Sequence, residues 1–135
     1  MRWKKLSSWG APRLGSDQWA PLRAEILAED LEAVEQVLEE LTGFMDFFRA
    51  DIDGAPLTGV TDGQLAVAHQ IATDTWGRRM LEVTFYASGP EGESSPDAFE
   101  RLARAAGTLV DELQAEGVAV EAIRWSERPY VTRPF

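Results

Sequence analysis

The chain contains no cysteine. Disulfides and thiolate metal sites are therefore excluded, and the composition fits a reducing cytosol. Histidine is nearly absent too: His69 is the only imidazole in 135 residues. A zinc-type site needs three or four ligands, and a second imidazole is missing. Long apolar runs are also lacking. No stretch is long enough to span a bilayer. The N-terminus, MRWKKLSSWGAPRLGSDQW, has positive charge but no apolar segment behind it, as a signal peptide would need. No phosphate-cradling glycine loop occurs, since SGPEGES is acidic and has no lysine, and no nucleophile elbow is found. The expectation is a cytoplasmic protein with no membrane association, no metal and no cofactor.

Positive charge is the next scarcity. The net charge is −10 and is unevenly spread. Residues 1–13 hold Arg2, Lys4, Lys5 and Arg13 and no acid, and residues 124–135 hold Arg124, Arg128 and Arg133 against Glu127. Residues 14–123 are left with 22 acids and 6 bases, a net −16. Such a body repels phosphate backbones, which argues against nucleic-acid binding. It favours a basic partner and fast, salt-sensitive association. Solubility alone is the plainer account of the same charge.

What is present is an ordinary globular composition, 44% apolar and 27% charged, in a chain long enough for one domain with a real core. The sequence divides into a Trp-rich basic arm (1–19), a single α+β domain (20–126) and an extended C-terminal tail (127–135).

The stretch that organises the domain is Leu65–Ser88. In its second half Leu81, Val83 and Phe85 alternate with Met80, Glu82, Thr84 and Tyr86, the period-two pattern of a half-buried strand. A three-residue loop at Thr75-Trp76-Gly77, with Gly77 left-handed, closes a β-hairpin. That turn sets Ile71 opposite Leu81, His69 opposite Val83, Val67 opposite Phe85 and Leu65 opposite Ala87, all on one face. The other face takes Gln70 with Glu82 and Ala72 with Met80, and Asp74 meets Arg78 at the turn. A two-residue turn would mix buried and solvated side chains across the pair.

Around this hairpin the chain gives weaker signals. Trp3, Trp9 and Trp19 form either a recognition arm or a cover for the domain's own edge, the second being the simpler use of tryptophan. From Pro21 to Leu41, the residues Leu27, Leu31, Val34, Leu38 and Leu41 recur at helical spacing with glutamates opposite, predicting one long helix closed by Gly43. The rival is a strand over Ala20–Ala28 followed by a shorter helix capped by Asp30. FMDFFRADID then suggests a strand at Phe44, Phe48, Ala50 and Ile52, and DIDGAPLTGVTDG an irregular loop. Asp51, Asp53 and Asp62 have part of the spacing of a calcium loop, but Ala55 and Pro56 break it, leaving aspartates that cap their own backbone. Ser95-Pro96-Asp97 is a helix start. Phe99, Leu102, Ala106, Leu109, Val110 and Leu113 form the buried stripe of that helix, and Gly117 its end. Val118–Trp125 is the last strand.

The expected architecture is α+β: a two-layer sandwich with an antiparallel sheet and two helices on one face. If Ala20–Ala28 or the arm supplies a first strand, the order becomes β-α-β-β-α-β, the ferredoxin-like pattern. His69 would point into the apolar face, where a lone histidine is more often a hydrogen-bonded core residue than a base. With Tyr86 and Asp74 on the opposite face, no catalytic partner is in view and no catalytic residue is assigned. The leading functional expectation is a small acidic module that binds another, basic protein, as a bacterial immunity or antitoxin protein does when it masks a toxin. Its candidate contacts are Glu25, Glu29, Glu32 and Glu39 on the first helix and Asp51, Asp53 and Asp62 in the long loop. One alternative is a ferredoxin-like ligand-binding or enzymatic domain, as a homodimer, with a pocket around His69, Trp76, Tyr86 and Trp125. The other is a structural subunit held by the arm and tail.

Overall fold

The hairpin forms as its turn chemistry requires. Gly77 has φ +79°, the Asp74 N–H donates to the Arg78 carbonyl (2.8 Å) and the Gly77 N–H to the Asp74 carbonyl (3.0 Å). One Asp74 carboxylate oxygen then takes the N–H groups of Trp76 (2.9 Å) and Arg78 (2.8 Å), so the bend is closed from both sides. All the expected pairs occur: Leu65 with Ala87, Val67 with Phe85, His69 with Val83, Ile71 with Leu81, and on the other face Gln70 with Glu82 and Ala72 with Met80.

The computed structural model describes residues 18–52, 55–62, 64–88, 95–127 and 131–132. Along the chain they form β1 (Gln18–Ala28), α1 (Leu31–Thr42), β2 (Asp46–Ile52), β3 (Ala55–Thr61), β4 (Leu65–Thr73), β5 (Arg79–Ala87), α2 (Ser95–Ala115), β6 (Val120–Glu127) and β7 (Val131–Thr132). The strand order is β2-β3-β4-β5-β1-β6, each pair antiparallel, and β7 pairs with the start of β1 at Gln18 and Trp19. Both helices pack on one face, giving an α+β two-layer sandwich. With the β2–β3 ribbon and the short β7 set aside, the remaining strands and helices follow one another as β-α-β-β-α-β.

The core lies where the register sends alternate residues. Ala20, Leu22, Ala24 and Ile26 of β1 stand opposite Ala87, Phe85, Val83 and Leu81 of β5. All eight are buried with Val67 against Val34 and Leu38 of α1 and Leu102, Ala106, Leu109 and Leu113 of α2. The stripe expected on α2 is therefore the buried one. Gly117, at φ +68°, ends that helix: its N–H meets the Gln114 carbonyl (3.1 Å) and the Val118 N–H reaches back to Leu113 (3.0 Å), the pairing that satisfies terminal carbonyls.

Several expectations are corrected. The long helix over Pro21–Leu41 does not exist. Residues 18–28 are the strand β1, paired on both sides, and Asp30 caps a shorter α1, its carboxylate accepting the Ala33 N–H (3.2 Å). Ladders on both sides override the helix propensity of Ala, Leu and Glu. Pro21 is tolerated because on the β6 side the rungs start only at Leu22, and β7 stops at Trp19. Gly43 follows α1, as expected of the residue that closes it, but in a right-handed conformation (φ −62°). The segment 55–61 is a strand rather than a loop. Its Pro56 lies beside the hairpin connection and its Gly59 at a close approach to β4, so both turn-like residues have sheet uses. The second face of β5 is not solvated either: Met80, Thr84 and Tyr86 are buried, and Tyr86 packs with Trp19, Phe48, Ala66 and Ala68 in a second cluster.

Candidate functional site

The residues singled out in the sequence are dispersed by this fold. His69 is on the helix-covered face, half-buried, with Nδ1 3.8 Å from a Glu35 carboxylate oxygen of α1. Trp76 is at the hairpin tip and 85% exposed. Tyr86 is on the opposite face in the second cluster. Trp125, on β6 opposite Ala24, is half-buried against the main core. The fold does not bring these four together: Tyr86 lies on the face opposite His69, and Trp76 stands out at the hairpin tip.

The acidic candidates divide in the same way. Glu25 is not on a helix. It lies on β1 between Glu82 and Arg124, and Arg124 donates to it at 3.2 Å. Beside it Arg23 stands 3.9 Å from Glu82, and Gln70 donates to Glu82 at 3.0 Å. These are two groups side by side, Arg124 with Glu25 across β6 and β1 and Glu82 with Arg23 and Gln70 across β1, β5 and β4, so Glu25 is engaged within the sheet. Glu29 is exposed in the turn before α1, and Glu32 and Glu39 are exposed on α1 itself. Asp51 is on β2 opposite Pro56, near the ribbon's connection. Asp53 lies outside the described residues. Asp62 follows the far end of β3 and caps its own backbone, accepting from the Gln64 N–H (2.9 Å) and the Leu65 N–H (2.7 Å). The calcium-loop spacing is thus drawn out along a two-stranded ribbon, with Asp51 and Asp62 at opposite ends. Among the described residues no group of three or more acids or histidines is placed to hold a metal ion.

Two arrangements do emerge. The first is the outward side of α1. Between Arg23 and Arg49 the chain has eight acids and no base. Glu29, Asp30, Glu32, Glu39 and Glu40 are exposed there, and the run ends in Phe44 and Phe47, 82% and 67% exposed. The second is a cleft of about 270 Å³ between the end of α1, α2 and the sheet. Leu38, Val67, Phe85 and Leu109 give it an apolar floor, and Arg101, Arg104, Thr42 and Thr108 bring polar groups to its rim.

Sequence reasoning missed Glu35 as the neighbour of His69, because it turns on how α1 lies over β4. It also missed Arg101 and Arg104. Their signal was legible: two of the six bases in residues 14–123, three apart on one helix, flanking the buried Leu102. No helix among the described residues is long and apolar enough to cross a membrane. Comparison with known proteins leaves this geometry to stand alone, since no family model, no curated protein and no solved structure matches the chain.

Proposed function

We infer that the protein is a binding module that docks a basic protein through the outward side of α1, in the manner of a bacterial immunity or antitoxin protein that covers a cationic surface. The observation that carries this reading is the joining of two features on one continuous segment. Five exposed carboxylates, from Glu29 to Glu40, run without an intervening base into Phe44 and Phe47, two large apolar side chains left in water. Carboxylates of one sign steer a cationic partner and set the rate of encounter. Aromatic side chains are the usual anchors that hold it once docked. Glu25 is no part of this surface, because its charge is met by Arg124.

The test uses the product of the gene immediately upstream as the trial partner, with association followed across a salt series. Changing Glu29, Glu32, Glu39 and Glu40 to glutamine is expected to slow association about tenfold and to flatten its salt dependence, with the melting temperature unchanged. Phe44→Ala is expected to act on the dissociation rate instead. An on-rate that ignores the four glutamines, or no complex at all, overturns the reading.

A further inference from the structure

We propose that the cleft between α1 and α2 is a binding site for a small amphipathic anion, an unbranched carboxylate of about eight carbons, given that a water-sized group occupies roughly 30 Å³. Its volume of about 270 Å³ sits just below the roughly 300 Å³ at which pockets for larger small molecules begin. The floor is apolar and suits an alkyl chain: Leu38 from α1, Val67 and Phe85 from the sheet, Leu109 from α2. Phe44, which lines the same cleft, is mostly exposed and offers further cover for a tail.

The choice of charge rests on the arginines. In a body with six bases, four of them (Arg23, Arg49, Arg78 and Arg79) lie elsewhere, and Arg23 and Arg78 are matched by Glu82 and Glu121. Arg101 and Arg104 stand three residues apart on α2 and line one cleft. Neither makes an ion pair among the described residues, although Glu100 is a helical turn from Arg104. The Nε of Arg101 is buried and has no hydrogen-bond partner among them. Arg23, paired with Glu82, has the same orphaned nitrogen, and neither nitrogen is open to the solvent; the anion is chosen because two guanidinium groups line one cleft, and a carboxylate offers guanidinium two oxygens in matching geometry. Asp62, which also lines the cleft, already has one carboxylate oxygen engaged by two backbone N–H groups.

Isothermal titration of the full chain with sodium octanoate, octan-1-ol, octylammonium and acetate tests the site. Octanoate is expected to bind about tenfold more tightly than octan-1-ol, with acetate and octylammonium not saturating. The double variant Arg101→Gln, Arg104→Gln is expected to lose that advantage, binding octanoate and octan-1-ol alike while melting as the parent does. If the double variant does not fold, Arg104→Gln, at an exposed position, is expected to weaken octanoate about threefold. Equal binding of octanoate and octan-1-ol to the parent, no saturable octanoate binding, or a variant that binds octanoate as the parent does would each overturn the proposal. None of these results depends on a protein partner.

Discussion

At Gly59 an added Cβ would stand 2.1 Å from the Val67 carbonyl oxygen. At Gly77 it would meet nothing within 4 Å, yet φ there is +79°. The two glycines are thus needed for different reasons, and substitutions should separate them. Gly59→Ala forces the β3–β4 joint apart and is expected to cost about 1–3 kcal/mol in urea unfolding. Gly77→Ala carries only the left-handed backbone penalty, about 1–2 kcal/mol, and Gly77→Asn should recover most of it because asparagine tolerates that region. Gly59→Asn should recover nothing. Gly77 was legible in the sequence because a turn is local chemistry. Gly59 was not, since a close approach is a property of two strands and their register. His69 is intermediate: its face followed from the turn, but its neighbour Glu35 did not. That pair is half-exposed and 3.8 Å apart, so a double-mutant cycle should give a coupling below about 1 kcal/mol.

Asp30 decides between the two ways of dividing the segment that follows Trp19. Inside one long helix, Asp30→Ala would stabilise, since alanine is the better helix former. As the N-cap seen here, it is expected to destabilise by about 1 kcal/mol, because the Ala33 N–H loses its acceptor. The sign of the change in the unfolding midpoint is the measurement. Periodicity misled at this point for a physical reason. Leu27 extends the helical spacing of α1 backwards, while Ala20, Leu22, Ala24, Ile26 and Ala28 hold the true period of two. Three of those five are alanines, which mark a buried face only weakly. For α2 the stripe and end were both readable, because apolar spacing and glycine agreed. The β2–β3 ribbon was hidden by Pro56 and Gly59, residues that commonly signal loops.

The molecule as a whole buries both faces of part of its sheet. The sequence pattern of β5 described one of them. Met80, Thr84 and Tyr86 looked like a wet face because the residues that join them come from β1, β2 and β4 and assemble only through the register. Tyr86→Ala is therefore expected to cost about 3 kcal/mol, comparable with truncating a helix-side core residue, where a solvated tyrosine would cost almost nothing. Layer order and helix placement were legible from the hairpin and the two apolar stripes. The acidic surface was legible as composition, but its division into a paired Glu25 on the sheet and an outward α1 face needed coordinates. The pairing of β7 with β1 reaches further. Thr132 lies beside Gln18, so the first and last strands among the described residues are already neighbours. A circularly permuted gene, with Thr132 joined to Gln18 by a flexible linker and new ends opened between Thr75 and Trp76, should yield the same sandwich. In that chain β1 and β7 become near neighbours in sequence, while β4 and β5 must find each other across its entire length. Slower refolding with an unchanged native circular dichroism spectrum is the expected signature.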